Sequence, residues 1–547
     1  MHTVETVLLV LMLGALTGIA ARYVRAIPLP LIQIALGALI AWPQDGLHIA
    51  FDPELFLLLF IPPLLFADGW RIPKREFFAL AKPILLLAFG LVFITVFGLG
   101  YLIHWMIPSI PLTVAFALAA VVSPTDAVAV SAISRNLGMP SKTMHLLEGE
   151  SLLNDASGLV ALKFAVAATL TAGSFSWENA AKDFTWMSVG GLGLGALMGW
   201  GFSRGRDMVT RRVGDVAATQ MVLLLILLPF ASYIMGEYIG VSGILSAVAA
   251  GIATNFADLD RSNFISERLQ TEGTWSMVEA AFNGAIFLLL GLQLPSIIGV
   301  PLHQAGHDWW ILVGYVAAIS FALLLMRWIW LVLGVHGSLL RAHRQGKMSE
   351  RPSPLLNLAT TLAGIRGAVT LAGALSVPML LNNGQPFPGR DMLVFLATGT
   401  ILFTLVIGAV GLPIVLRHLP PHEESPTVRE ERLAREQACM AAMAKLTLSE
   451  EEILRRDPEW VAMRQEVNGH LTQEYRNRIH LLDDSGVATS TEAQRDTPEL
   501  VHERRQRYLR EMELRLRCIQ VERDALYTER QSHRINDEML RAMVSEL

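Results

Sequence analysis

Glu148, Glu150, Ser151, Asn154, Asp155 and Ser157 stand within ten consecutive positions, inside an otherwise apolar run. Charge in a bilayer is costly, so an acidic cluster within a membrane segment marks a functional site by default. On a helix, Glu148, Ser151 and Asp155 share one face. Glu150 and Asn154 share a second, turned by about 100°. A carboxylate taken out of water favours a neutral state, which it reaches by binding either a proton or a cation. Asp155 is therefore the candidate carrier, able to hold one species or the other but not both. Asn154 steadies that site without adding charge. Glu150, on the other stripe, needs a partner from another helix. The plainer alternative is that these groups are only buried and paired.

Other polar groups in apolar surroundings extend the set. Arg327 lies between Leu-Leu-Leu-Met and Trp-Ile-Trp, and an unpaired guanidinium there would be very unfavourable. Glu150 is its natural partner, with snorkelling to the interface as the alternative. Val122-Ser123-Pro124-Thr125-Asp126 interrupts one apolar segment, because proline lacks a donor and disrupts the preceding turn. Ala363-Gly364-Ile365-Arg366-Gly367 interrupts another. Broken helices expose positive N-terminal and negative C-terminal ends; Asp126 is placed to offset the first and Arg366 the second. The Thr125 carbonyl or hydroxyl can then face Ser151 and Asp155. A site made of oxygen atoms suits a hard monovalent cation such as Na+ at Asp155. Asp68 follows Pro62-Pro63 and either reaches this site or ends its span. Lys163 either snorkels or pairs locally. Glu279 and Asn283 line the site or, the reading favoured here, only pack. Glu148 lies below Asp155 as a funnel or sensing residue.

The elements that must position these groups are membrane helices. The chain has 547 residues, 52% hydrophobic. Residues 1–420 form a series of apolar segments, and 421–547 are mostly charged and polar. That split implies a polytopic membrane domain and a cytoplasmic helical tail. Thirteen spans are expected, at 4–24, 28–43, 52–70, 83–107, 111–135, 142–173, 184–204, 217–239, 241–257, 273–295, 308–336, 353–381 and 391–417. Loops after odd-numbered spans hold 18 basic residues, among them Arg22, Arg25, Arg71, Arg135, Arg261, Lys347 and Arg351, against 2 (Lys182 and Arg390) in the others. The positive-inside rule then places the amino terminus outside and the tail in the cytoplasm. The first span runs on to Arg22 and is expected to be retained rather than cleaved.

Spans 1–6 and 8–13 superpose in order, each set with a broken helix followed by one more span. Six spans per set give opposite orientations, the inverted-repeat plan of secondary transporters. In the tail, 426–456, 458–482 and 499–547 suit helices, and 483–498 a linker. The mild net charge of −5 suggests no nucleic-acid partner, and the two cysteines, Cys439 and Cys518, suggest no disulfide framework. No phosphate-cradling loop occurs, so a gradient must drive any transport. No cofactor is called for, and nothing identifies a partner for the tail.

At Ser123-Pro124-Thr125-Asp126, Gly149 to Asp155, Arg327, Phe287-Leu288-Leu289-Leu290-Gly291 and Gly364-Ile365-Arg366-Gly367, the chain resembles sodium/proton exchangers of the cation:proton antiporter-1 family, over about 1–420. It looks most like their bacterial members. The resemblance implies electroneutral Na+/H+ exchange in the inner membrane, by a homodimer whose core moves like an elevator. It places cation and proton on Asp155, helped by Ser151 and Thr125, with Asn154 as the partner asparagine. It makes Glu150 and Arg327 a structural pair, and Asp126 and Arg366 the charge compensators. Many relatives carry a carboxylate one position nearer the Pro-Pro, where this chain has Ala67 before Asp68; animal members have a glutamate in place of Asn283. Ion preference therefore stays open, with K+/H+ exchange as one alternative. A membrane sensor signalling through the tail is another.

Overall fold

The computed structural model describes residues 2–20, 27–42, 53–134, 137, 139–170, 177–213, 218–257, 265–305, 308–344, 353–381, 384–419, 426–446, 458–482, 498–532 and 543. The chain divides into two compact units, Met1–Pro421 and His422–Leu547. The described residues are helical, apart from turns and one isolated bridge between Leu380 and Pro386. Arg22, Arg25, Arg135, Arg261, Lys347 and Arg351, which carry much of the loop-charge argument, lie outside the described residues.

The first unit begins with α1 (His2–Ala20), α2 (Leu29–Ala41), α3 (Pro53–Arg71) and the short α4 (Lys74–Ala79). One continuous span follows, made of α5 (Ala81–Leu85), a π-helical turn (Leu86–Leu91) and α6 (Val92–Met106). Next come α7 (Leu112–Val122), α8 (Ala127–Ser134), α9 (Ser141–Leu170), α10 (Trp177–Val213), α11 (Ala218–Ile239) and α12 (Gly243–Ala257). The unit closes with α13 (Ile265–Ala305), α14 (Trp309–Arg344), α15 (Pro354–Leu362), α16 (Ala368–Leu375) and α17 (Arg390–Arg417). Among the described residues, seven helices are long and apolar enough to cross a membrane by length and composition.

The interruptions fall where the proline and glycine patterns put them, between α7 and α8 and between α15 and α16. Several helices outrun their apolar segments. The segment at 184–204 is part of Trp177–Val213, and 273–295 is part of Ile265–Ala305. Hydrophobicity marks only the stretch that meets hydrocarbon, while backbone hydrogen bonding continues into the polar flanks. The π-helical turn had no sequence signal. Its wider winding leaves a carbonyl for an outside donor, and Ser157 Oγ on α9 supplies one to Ala88 O at 2.7 Å.

Close approach places the helices around α7, whose Val114, Ala115 and Ala117 to Val122 are buried under α6, α9 and α17. α2 and α13 meet backbone to backbone at Gly37 and Gly291. A Cβ on either would collide with the other helix, so small residues set this spacing. α3 and α13 are held by two ring contacts, Phe60 with Phe282 at 5.1 Å and Phe66 with Trp275 at 5.3 Å.

The second unit contains α18 (Pro426–Leu446), α19 (Pro458–Leu482) and α20 (Pro498–Gln531). The helix expected over 426–456 is described from Pro426 to Leu446. Residues 447–457, 483–497 and 533–542, which include most of the expected linker and the end of the last helix, lie outside the described residues.

Candidate cation site

The two interrupted spans meet at their breaks. The Asp126 N–H donates to the Ile365 carbonyl at 2.8 Å, a backbone bond from one interruption to the other. Each break exposes helix ends that would otherwise lack partners. Asp126 Oδ1 accepts the N–H groups of Val128 at 2.8 Å and Ala129 at 3.0 Å, capping α8. Arg366 does the converse for carbonyls. Its Nε donates to Val122 O, at the end of α7, and its Nη1 to Gly364 O just past α15, both at 2.6 Å. Gly367 lies against Asp126, and a Cβ there would land on the carboxylate.

α9 packs beside this crossing and presents the acidic stretch. Ser151 Oγ donates to the Thr125 carbonyl at 2.8 Å and accepts the Ala127 N–H at 3.3 Å. The Thr125 hydroxyl turns the other way: it accepts from Asn154 Nδ2 at 2.8 Å and lies 3.5 Å from Glu150 Oε1. Of the two Thr125 oxygens, then, the carbonyl joins Ser151, while the hydroxyl belongs to the Asn154 and Glu150 side. Asn154 Oδ1 is buried without a partner among the described residues.

Glu150 meets Arg327 of α14 in a two-pronged ion pair. Nη1 donates to Oε1, and Nη2 donates to Oε2 at 2.7 Å. Arg327 Nε gives its remaining hydrogen bond to Thr360 O of α15 at 3.1 Å. The guanidinium thus ties α14 to α9 and α15. Both side chains are almost fully enclosed, at 2% and 1% exposure.

Asp155 is different. It lies on the edge of a cavity of about 40 Å³, room for a few water molecules or a partly hydrated ion. Asp68, Pro124, Thr125, Asp126, Ser151, Glu279, Asn283 and Gly367 to Thr370 line the same space. The Asp155 side chain has no hydrogen-bond or ion-pair partner among the described residues. Asp68 is likewise without one.

Glu279 and Asn283, for which the sequence leaves lining and packing both open and favours packing, line this cavity. A helix of alternating polar and apolar faces does not reveal from sequence which neighbour its polar face meets. Glu148 is half-buried and is not among the lining residues. Lys163 pairs locally, with Glu237 of α11 at 2.8 Å. Sequence reasoning missed the contact of Arg71 with Glu279. In the sequence Arg71 reads only as a loop charge; the signal for the contact is Glu279, an acid inside an apolar segment that needs a counter-charge.

A family model described as the transmembrane sodium/hydrogen exchanger matches residues 8–418. A protein of Escherichia coli (strain K12), named as the uncharacterized Na(+)/H(+) exchanger YjcE, is 43% identical over 551 residues, 99% of this chain and 97% of its own. A Bacillus subtilis (strain 168) protein, named as a sodium, potassium, lithium and rubidium/H(+) antiporter, is 46% identical over 411 residues, 75% of this chain and 61% of its own. The solved structure of the sodium proton antiporter MjNhaP1 from Methanocaldococcus jannaschii at pH 8 superposes with a TM-score of 0.59 at 17% identity, covering 77% of this chain and 100% of that one. That likeness speaks for the fold alone. The family match spans most of the chain and the E. coli relative nearly all of it: the chain belongs to the transmembrane sodium/hydrogen exchanger family.

Proposed function

We propose that the chain exchanges Na+ for H+ across the bacterial inner membrane, with Asp155 binding cation and proton in turn. The observation that carries this reading is the Asp155 carboxylate: buried, facing a cavity, and without a partner among the described residues, while Glu150 nearby is fully paired. A lone enclosed carboxylate is unstable as a bare charge. It becomes neutral with one proton or one monovalent cation, so loading one displaces the other. One charge each way makes the exchange electroneutral. Ser151, the Thr125 carbonyl, Asp126 and Asp68 supply further oxygen atoms around the same space. Asn154 fixes Thr125, Arg366 and Asp126 stabilise the crossing, and Glu150 with Arg327 holds α9 in place.

The excess of basic residues on alternate loops supports an amino terminus outside and a cytoplasmic tail. The family resemblance adds a homodimer embedded in lipid through its outer spans. A second reading, exchange of K+ and other alkali cations, is favoured by the name of the Bacillus subtilis relative.

The test is cation-dependent proton flux in proteoliposomes, measured with Na+, K+ and Li+ in turn. The wild type should exchange Na+ without responding to an imposed membrane potential. Asp155→Asn should abolish flux with every cation. Equal flux in that variant would remove Asp155 from its role, and no flux in the wild type would return the sensor reading.

A further inference from the structure

We infer that Arg71 is a tethered competitor for the transported cation, held on Glu279 at the mouth of the cavity. This rests on the proposed cation exchange. Arg71 is the last residue of α3, three positions after Asp68, or about 4.5 Å further along the helix. Its guanidinium donates to Glu279 Oε2 on α13. Glu279 lines the same cavity as Asp68 and Asp155. Its other oxygen, Oε1, is buried and has no hydrogen-bond partner among the described residues. The arginine is 39% exposed and the glutamate 19%, so the pair spans the step from outside the cavity to its wall.

Two features separate this pair from a structural strut. α3 and α13 are already fixed to each other by Phe60 on Phe282 and Phe66 on Trp275, so the ion pair is not needed to hold them together. And among the described residues only one carboxylate oxygen is engaged, by a single hydrogen bond, unlike the two-pronged contact of Arg327 with Glu150. A partly exposed pair of this kind is readily exchanged. A cation approaching the cavity meets Glu279 with a guanidinium on it. It displaces the guanidinium, rests between Glu279 and Asp68, and moves on to Asp155. When the cavity empties, Arg71 returns. Arg71 thus sets the cation concentration at which the site fills, and does so through Glu279.

The experiment is Na+-dependent proton flux in proteoliposomes of the full chain. Arg71→Gln should lower the half-saturating Na+ concentration by about threefold with the maximal rate kept. Glu279→Gln should raise it by a similar factor, and the double variant should match Glu279→Gln alone, because the arginine has nothing left to occupy. Arg71→Lys, which keeps the charge, should stay near the wild-type value. The inference is overturned if Arg71→Gln lowers the maximal rate and the melting temperature in detergent while the half-saturating concentration stays put. It is also overturned if the effects of the two single variants simply add. Wild-type flux that vanishes in Asp155→Asn, together with an unmoved half-saturating concentration in Arg71→Gln, would sink this inference and leave the proposed function standing. Absence of flux in the wild type would sink both.

Discussion

Glu150 and Asp155 are both acids on α9, five residues apart, with 1% and 8% of their surface exposed. Their surroundings could hardly differ more. Glu150 has a guanidinium on both oxygens, and that guanidinium is itself fastened to Thr360 O. Asp155 has a cavity and, among the described residues, no partner. Removal from water is unfavourable for both carboxylates, and only one is offset by a fixed charge within the fold. The other can be neutralised only by something that arrives and leaves. Of two buried acids on one helix, the paired one is tied into the scaffold, and the other is the group proposed above to carry the exchange.

The contrast is tested most severely at Arg327. Arg327→Ala would leave Glu150 charged and enclosed, a loss of about 3–5 kcal/mol, read as a lower melting temperature in detergent. Adding Glu150→Ala should give less than the sum of the two single losses. Asp155→Asn, in the same assay, should melt at or above the wild-type temperature, since it removes an unpaired charge. A large destabilisation by Asp155→Asn would erase the distinction between the two acids.

Gly367→Ala sharpens the comparison from the crossing. Its methyl group would press on the Asp126 carboxylate and disturb the cap on α8. Overpacking of this kind typically lowers stability by about 1–3 kcal/mol. Flux should fall along with stability, as both acids depend on the crossing for their position. The smallest effect is expected from Ser157→Ala, which deprives the Ala88 carbonyl of its side-chain donor at a cost of about 1 kcal/mol, with exchange still measurable.

The sequence exposed the groups that violate a rule of membrane segments. Pro124, the glycines around Arg366, and the charges of Glu150, Asp155 and Arg327 stand out because apolar helices do not tolerate them without a reason. The two stripes of α9 followed from spacing alone, and they separated Glu150 from Asp155 correctly in space. Features that obey the local rules were invisible. Leu86 to Leu91 is an ordinary apolar string, and nothing in it announces a widened turn. The direction of the Thr125 hydroxyl depends on which neighbour offers the better donor, and Asn154 does. Glu279 and Arg71 were each legible as polar, but their meeting depends on how α3 and α13 are rotated against each other, which rings at Phe60, Phe66, Trp275 and Phe282 decide.

That widened turn also governs which way a whole span looks. Leu87, Leu91, Thr95, Leu99 and Ile103 are all buried, and they recur at intervals of four. On a regular helix of 3.6 residues per revolution, each step of four advances the buried face by about 40°. The wider revolution takes up an extra residue and so offsets the first of these steps, from Leu87 to Leu91, and it fixes the angle at which the regular helix beyond it presents its buried face. Shortening Leu86–Leu91 by one residue would therefore rotate the half of the span that follows, carrying Leu99 and Ile103 away from the neighbours they now touch.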